Sequence, residues 1–242
     1  MRFLALDFDG VLWDSVGECY VVAREAWRQL TGEEPPDCEA AFRSGRWLAR
    51  VGGDFQVLLA LAAQDPSRDL TGLGREEFER LKAGIPARFT ELFYAERVRM
   101  RDTEPERWAA LQGPYPAVLE ELPALRRAFG GLAIATTKDA ASVRALLASC
   151  GLDCPVLGRE FGTHKPEQIL HLCQEWGTTP QSVVFVDDLL DNLEPVRRTG
   201  AAVALAGWGY NTPAERRAAE RAGIPVLQPG RVEEGLRAAH PV

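Results

Sequence analysis

The stretch that decides the fold is Phe3-Leu4-Ala5-Leu6-Asp7-Phe8-Asp9-Gly10-Val11-Leu12-Trp13-Asp14-Ser15, close to the start of the chain. The short run from Arg2 to Leu6, apolar after its first residue, predicts a buried β-strand that ends at two carboxylates, Asp7 and Asp9. Residues two apart in a strand point the same way, and Gly10 permits a tight turn directly after them. Because adjacent carboxylates repel each other, a bound cation or a shared proton would stabilise the pair. Taken alone, the D-x-D-G pattern also fits a solvated acidic turn.

Three further apolar runs predict buried strands of the same kind. They are Leu132–Ala135, Ser182–Val186 and Ala201–Ala206. Helical patterns separate them: Asp139 can cap a helix that stops near Gly151, and Pro166 can open one that stops at Gly177. Strands that alternate with helices imply a three-layer α/β fold with a parallel sheet and right-handed crossovers. Polar groups at the carboxyl ends of such strands converge on one crevice.

One long segment, from about Glu18 to Gln112, shows helical patterns and no convincing strand. Helical spacing of bulky apolar residues is clearest at Tyr20, Ala23, Trp27 and Leu30. We therefore predict that 16–113 form an all-helical domain, inserted into a core built from 1–15 and 114–242. Both boundaries fall where the composition turns to glycine and proline.

A second acidic cluster follows the strand predicted at 182–186. Asp187 and Asp188 end that strand, so they reach the same crevice as the first pair of carboxylates. Carboxylate oxygens from two strand ends, completed by water, suit Mg²⁺, and we assign Asp188 to such a metal. Asp191 and Asn192 come next, and there we favour a simpler role for Asp191 as the cap of the following helix.

Candidate anion-binding residues lie at two other loops of the predicted crevice. Thr136 and Thr137 stand between a strand and a helix, where hydroxyls and backbone N–H groups can bind an anion or simply cap the helix. Lys165 comes just before a helix, and its ammonium can neutralise both an anion and the carboxylates. Although an ordinary surface lysine is the usual case, the chain has only three lysines, which favours a function here. Lys138 can fill the same role.

The composition argues against several classes of protein. With 242 residues and 46% apolar content, the chain can fill one large core or a core plus a smaller domain, which excludes a disordered chain. A net charge of -7 argues against a nucleic-acid partner. No apolar run approaches the roughly 20 residues that span a bilayer, so we expect no membrane association and no signal peptide. The five cysteines include no C-x-x-C pair and are expected as reduced thiols in the cytoplasm.

Taken jointly and in this order, the motifs resemble the haloacid dehalogenase superfamily, most of whose members are phosphatases. The resemblance rests on Asp-Phe-Asp-Gly-Val-Leu-Trp-Asp-Ser, Ala-Thr-Thr-Lys, Lys165-Pro166 and Phe-Val-Asp-Asp-Leu-Leu-Asp-Asn, and it covers nearly the whole chain. It is strongest to the phosphoglycolate phosphatase-like members, which carry a helical cap directly after the first motif. The resemblance therefore implies a Rossmann-like catalytic core with an inserted cap domain.

The resemblance also implies catalytic and phosphate-binding roles for individual residues. By position, Asp7 would be the nucleophile and Asp9 the general acid and base. Lys165 would be the family's conserved lysine. Thr136 would bind the substrate phosphate through its hydroxyl, and we place Thr137 beside it as a second substrate-binding residue.

The same resemblance implies a Mg²⁺ site. Its ligands would be the side chains of Asp7 and Asp188 and the main-chain carbonyl of Asp9. Asp187 would lie next to the metal ligands without being one. Asn192 stands where many members have Asp, and this departure leaves its role open.

Substrate choice would come from the helical insertion, where Arg43, Arg46 and Arg50 recur at helical spacing beside Trp47. These arginines can bind a second anionic group of a substrate, and we select Arg46 as the substrate-binding residue. A solvated basic face is the alternative.

From these observations we expect a cytoplasmic, Mg²⁺-dependent phosphatase that hydrolyses a small phosphorylated metabolite through an aspartyl-phosphate intermediate, as a monomer or homodimer. Two alternatives stay open: a phosphomutase of the β-phosphoglucomutase type, which returns the phosphoryl group to its substrate, and a non-catalytic metabolite-binding module on the same fold. A hydrolytic dehalogenase fits less well, because relatives of that type lack the acid found here at Asp9.

Overall fold

A computed structural model of the chain describes residues 2–82, 84 and 86–239. Contacts within the chain divide it into two compact units. The sheet unit takes Met1–Asp14 and Pro114–Val242, and the helical unit takes Ser15–Gly113. Among the described residues, no helix has both the length and the apolar character needed to cross a membrane.

The sheet unit is built on six parallel strands in the order β5-β4-β1-β6-β7-β8. The strands of the described chain are β1 (Phe3–Leu6), β2 (Trp13–Asp14), β3 (Gly113–Pro114), β4 (Leu132–Ala135), β5 (Val156–Leu157), β6 (Val183–Asp187), β7 (Ala202–Ala206) and β8 (Val226–Leu227). The two-residue strands β2 and β3 form a separate small sheet. The parallel α/β architecture expected from the alternating pattern is confirmed.

Helices flank the large sheet. Those of the sheet unit are α7 (Pro116–Leu119), α8 (Leu122–Ala128), α9 (Ala140–Ser149), α10 (Lys165–Glu175), α11 (Leu190–Arg197), α12 (Pro213–Arg221) and α13 (Val232–Ala239), with a 3-10 turn at Pro180–Ser182. Strand residues such as Ala5, Phe185 and Leu205 are fully buried against helix residues such as Ile169 and Leu193, which form one core. Burial on both faces is the reason that these strands are apolar throughout, without alternation.

The helical unit contains helices only, within the described part of 15–113, apart from the strand residue Gly113. Its elements are α1 (Val16–Thr31), α2 (Glu39–Ser44), α3 (Asp54–Gln64), α4 (Arg75–Lys82), α5 (Ala87–Thr103), α6 (Pro105–Ala110) and a 3-10 turn at Arg46–Leu48. Phe42, Phe55 and Phe93 form a run of stacked rings at its centre, with successive centroids 5.8 and 5.0 Å apart. Aromatic burial of this kind gives the unit a hydrophobic core of its own.

The register of the sheet brings the carboxyl ends of β1, β4 and β6 to one level. Leu6 pairs with Ile134 on one side and with Val186 on the other. The next residues, Asp7 and Asp187 among them, therefore leave the sheet side by side. The crevice expected at the carboxyl ends of these strands is thus set by backbone pairing.

Two of the predicted helix starts are correct and one is wrong. The Asp139 side chain caps α9 by accepting a hydrogen bond from Ser142 N at 2.8 Å, and Pro166 lies in the first turn of α10. Asp191, however, lies within the first turn of α11, whose N-cap is Leu189. An acid in the first turn still suits the helix dipole, and Leu189 at the N-cap makes no side-chain capping hydrogen bond.

Candidate active site

Three charged side chains meet at the carboxyl ends of β1 and β6. Asp7 follows β1, Asp187 is the last residue of β6, and Lys165 opens α10. The Lys165 ammonium lies 2.9 Å from Asp7 Oδ1 and 3.6 Å from Asp187 Oδ2, and it also donates to the Ala135 carbonyl at 2.6 Å. All three charged residues are buried. The structure thus places Lys165 beside carboxylates of both predicted acidic clusters, and its role in a reaction stays a prediction.

The electrostatics of this cluster reflect an excess of carboxylates. Burial by itself would lower the pKa of Lys165, but the facing charges of Asp7 and Asp187 outweigh burial and raise that pKa above its ordinary value. The pKa of Asp187 is raised to about 6, first because burial disfavours its charge and then because Asp7 repels it. One ammonium therefore does not compensate the negative charge gathered here.

Asp187 is oriented by the start of the helix that follows it. Its Oδ1 accepts hydrogen bonds from Leu189 N at 2.9 Å and from Asn192 Nδ2 at 3.1 Å, and Asn192 also reaches Oδ2 at 3.1 Å. Asn192 therefore lies beside Asp187, where a second carboxylate would repel it and an amide can donate. The sequence left the role of Asn192 open, and the structure shows that its side chain donates to Asp187.

Asp188 is enclosed by two glycine-rich turns. Its Oδ2 accepts a hydrogen bond from Tyr210 N at 2.6 Å. Gly10 has a φ of +83°, and a Cβ there would collide with Asp188 Oδ2. A Cβ at Gly209 would collide with Asp188 Cβ. The side chain of Asp188 fits only because both neighbouring turns lack side chains.

A loop that sequence reasoning missed, Gly207–Thr212 after β7, anchors this region. Trp208 Nε1 donates to the Val11 carbonyl at 3.0 Å, and the Tyr210 hydroxyl donates to Asp14 Oδ1 at 2.9 Å. Asn211 Nδ2 donates to the Asp188 carbonyl at 3.0 Å. The only sequence signal for this loop was its pair of glycines directly after a predicted strand.

The remaining predicted residues of the sheet unit lie around the turn after β4. Thr136 is buried and Thr137 half-buried, and Thr136 Oγ1 accepts a hydrogen bond from Lys138 N at 3.2 Å. The Lys138 ammonium lies 3.3 Å from Asp9 Oδ1, whereas Lys165 contacts Asp7 and Asp187. A further residue missed from sequence, Gln168, holds this turn through a 2.9 Å hydrogen bond to the Thr136 carbonyl.

The acidic residues of the crevice suit a divalent cation. One carboxylate oxygen from each of Asp7, Asp187 and Asp188 lies within 4.8 Å of the others, and all three residues are buried. Hard oxygen ligands of this kind are those that Mg²⁺ prefers. The donor set therefore fits the metal expected from sequence. The side chain of Asp9 lies outside this set and faces Lys138 instead.

The predicted arginine face of the helical unit is not a continuous helix. α2 ends at Ser44, and the chain continues through Gly45 into a 3-10 turn, so Arg43, Arg46 and Arg50 do not share one helical face. Arg46 is buried, with its guanidinium over the Phe55 ring and Nη1 donating to the Ala49 carbonyl at 3.0 Å. The interpretation as a solvated basic face is wrong for Arg46, and its contact with substrate stays a prediction.

Comparison with known families and proteins gives a consistent result. A family model described as haloacid dehalogenase-like hydrolase matches residues 1–200. The phosphoglycolate phosphatase of Haemophilus influenzae (strain 86-028NP) is 26% identical over 217 residues, covering 87% of both chains. That of Aquifex aeolicus (strain VF5) is 25% identical over 217 residues, covering 87% of this chain and 86% of the relative.

Solved structures share the fold over nearly the whole chain. A predicted phosphoglycolate phosphatase from Haemophilus somnus 129pt superposes with a TM-score of 0.61 at 19% identity, covering 97% of each chain. A putative β-phosphoglucomutase from Thermotoga maritima superposes with a TM-score of 0.59 at 18% identity, covering 98% of this chain and 99% of that one. At these identities the superpositions establish the fold and leave the reaction open.

Proposed function

Because the chain belongs to the haloacid dehalogenase-like hydrolase family, we propose that its acidic crevice is the active site of a Mg²⁺-dependent phosphatase. The observation that supports this most directly is the buried Lys165 ammonium 2.9 Å from Asp7, beside three carboxylates whose oxygens lie within 4.8 Å. We propose a small phosphorylated metabolite as the substrate. Phosphoglycolate is the first compound to test, since curated relatives 25–26% identical to this chain bear that name.

In the proposed reaction Asp7 attacks the phosphorus atom. Asp7 Oδ1 accepts hydrogen bonds from Phe8 N at 2.8 Å and from Lys165 at 2.9 Å, and these two donors fix the plane of the carboxylate. A bond forms between a carboxylate oxygen and phosphorus while the bond from phosphorus to the alkoxy oxygen breaks, leaving an aspartyl phosphate. Lys165 and the Thr136 hydroxyl would neutralise and position the phosphoryl oxygens.

Asp9 serves as the proton donor and acceptor in this proposal. The electron pair of the broken bond goes to the alkoxy oxygen, and the Asp9 carboxyl gives that oxygen its proton. In the second step the same carboxylate takes a proton from a water molecule, whose oxygen attacks phosphorus. The bond between phosphorus and the Asp7 oxygen then breaks, which frees the Asp7 carboxylate and releases inorganic phosphate. The exposed position of Asp9 relative to Asp7, with 15% of the side chain accessible, suits a group that exchanges protons with substrate and water.

We assign the metal site to Asp7 and Asp188, with the Asp9 main-chain carbonyl as the third protein ligand. When bound, Mg²⁺ supplies positive charge that lowers the repulsion between the substrate phosphate and the carboxylates. Asp187, whose oxygens already accept hydrogen bonds from Leu189 and Asn192, is proposed to orient its neighbours. In this assignment Asp7 and Asp188 bind the metal, and Asp187 does not, because its oxygens already accept hydrogen bonds from the protein.

The helical unit is proposed to act as the cap that selects the substrate, and Arg46 and Thr137 are proposed to contribute to substrate binding. All five cysteines are free thiols, four buried and Cys150 exposed. We infer from them a reducing compartment, in agreement with the cytoplasmic location predicted from sequence. The monomeric or homodimeric state stays a prediction.

The test is a screen for inorganic phosphate released from phosphorylated metabolites in the presence of Mg²⁺, with 2-phosphoglycolate first. We expect Mg²⁺-dependent release from at least one ester, accompanied by the free alcohol. An isomerised sugar phosphate without phosphate release would instead identify a phosphomutase. Binding of metabolites without any turnover would identify a non-catalytic module.

A further inference from the structure

We propose that Lys138 is a positioning residue that holds the Asp9 carboxyl group in the direction needed for proton transfer to the leaving group. The inference rests on the proposed phosphatase function. Its basis is the 3.3 Å contact between the Lys138 ammonium and Asp9 Oδ1, together with the complete burial of the Lys138 side chain. A fully buried ammonium is costly unless it has a partner, which makes this contact a fixed feature of the crevice.

Hydrogen bonds hold both the backbone N–H and the backbone carbonyl of Lys138. Its N–H donates to Thr136 Oγ1 at 3.2 Å, and its carbonyl accepts a hydrogen bond from Arg159 N at 3.1 Å. The next residue, Asp139, caps α9. An ammonium carried by such a constrained turn can impose a direction on a carboxylate that is itself partly exposed.

Each of the two buried lysines contacts a carboxylate on one side of the proposed reaction. Lys165 contacts Asp7 and Asp187 on the side where the new bond to phosphorus would form. Lys138 contacts Asp9, the residue that would meet the departing oxygen. If each lysine serves its own carboxylate, loss of Lys138 should affect the leaving group more than the nucleophile.

The leaving group provides the critical experiment. An alkoxide departs from phosphorus only with a proton from Asp9, whereas p-nitrophenolate departs without one. In the Lys138→Met variant, kcat/KM should therefore fall about tenfold further for 2-phosphoglycolate than for p-nitrophenyl phosphate, within the usual range of general acid catalysis. Lys138→Gln, which keeps a hydrogen-bond donor without the charge, provides a second variant should the first fold poorly. Equal losses on the two esters would overturn the inference.

Two further variants separate a positioning role from a structural one. Asp9→Asn should show the same preference for the aryl ester, and adding Lys138→Met to it should cost little more, because both changes remove one function. Losses that multiply in the double variant would contradict the inference. Arg144→Met removes an exposed cation from the neighbouring helix α9 and should change the ratio of the two esters little.

Failure of the proposed function gives a different result. A folded wild-type enzyme that releases phosphate from no ester contradicts the phosphatase assignment and this inference with it. If the wild type and Asp9→Asn behave as proposed, but Lys138→Met loses no more than Arg144→Met, only the role of Lys138 is wrong. Thermal unfolding of each variant verifies that the compared proteins are folded.

Discussion

Both units of the molecule bury charged side chains, but they balance the charges differently. In the helical unit, Arg97 donates from Nε to Glu18 Oε1 at 2.7 Å and from Nη2 to Oε2 at 2.9 Å. Trp108 Nε1 adds a third donor at 3.4 Å, and both ions are almost inaccessible to solvent. One cation thus matches one anion with bidentate geometry.

In the sheet unit, carboxylate oxygens of Asp7, Asp187 and Asp188 lie within 4.8 Å of one another, and the Lys165 ammonium contacts two of these residues, Asp7 and Asp187. Burial raises the pKa of Asp187 in the first place, and repulsion from Asp7 raises it further. A buried ion pair with equal and opposite charges is neutral and can hold two helices together. A buried cluster with more carboxylates than cations has affinity for an added cation. Charge balance therefore distinguishes the proposed active site from the buried ion pair of the helical unit.

The largest effect is expected from replacement of Asp7, the proposed nucleophile. Asp7→Asn should lower the rate of phosphate release by on the order of 10,000-fold or more, because an amide is a poor nucleophile. The variant should stay folded, since an amide relieves the repulsion at this strand end. Phosphate release at saturating Mg²⁺, measured beside thermal unfolding, checks both parts. Substantial turnover in a folded Asp7→Asn protein would rule out the covalent mechanism.

Metal removal should have the next largest effect. EDTA should abolish turnover and Mg²⁺ restore it, because the excess carboxylates of the crevice need a cation. Ca²⁺ should restore it poorly, since it prefers longer bonds and more ligands.

Substitution of the proposed metal ligand should weaken Mg²⁺ binding. The Mg²⁺ concentration that gives half-maximal activity should be about tenfold higher in Asp188→Ala than in Asp191→Ala. Activity that survives the chelator, or a stronger effect at Asp191, would contradict the metal assignment.

A smaller change at Gly10 should disturb the same site indirectly. A Cβ at Gly10 would collide with Asp188 Oδ2, so Gly10→Ala should weaken Mg²⁺ binding by roughly tenfold. Gly177→Ala is the matched control, because Gly177 also has a positive φ, +58°, but a Cβ there would meet no neighbour. Both variants strain the backbone, and only Gly10→Ala displaces the carboxylate. Equal Mg²⁺ dependence in the two would show that Gly10 serves the backbone alone.

Sequence patterns predicted those strands whose apolar pattern extends over several buried residues. The four longest strands begin and end within one residue of their predicted bounds. The two-residue strands β5 and β8 were missed because so short a run carries no apolar pattern. The predicted helical run through Arg46 failed at Gly45, where the chain tightens into a 3-10 turn.

For the site, sequence predicted residues at strand ends and missed contacts between distant loops. Register explains the success at Asp7 and Asp187, since neighbouring parallel strands end together. Tyr210 reaches Asp14 across 196 positions of the chain, and no local pattern encodes such a contact. Likewise, sequence could not assign Lys138 and Lys165 to different carboxylates. Lys138 follows a predicted strand and Lys165 comes just before a predicted helix, and neither local pattern encodes where the side chain points.

Substitutions in the Glu18–Arg97 ion pair should have the smallest effect on turnover and a large effect on stability. Glu18→Gln leaves the buried Arg97 without its counterion and should lower the free energy of unfolding by about 3–5 kcal/mol. Glu91→Gln, in an exposed pair with Arg88 at 2.9 Å on α5, is the control and should change stability little. Replacing both buried ions, as Glu18→Gln with Arg97→Met, should restore part of the loss because no uncompensated charge is left. Denaturant unfolding measures these differences, and turnover per folded molecule should stay within about twofold of wild type. If Glu18→Gln instead abolished turnover in a stably folded protein, the buried pair would serve the reaction, and charge balance would not separate the two kinds of site.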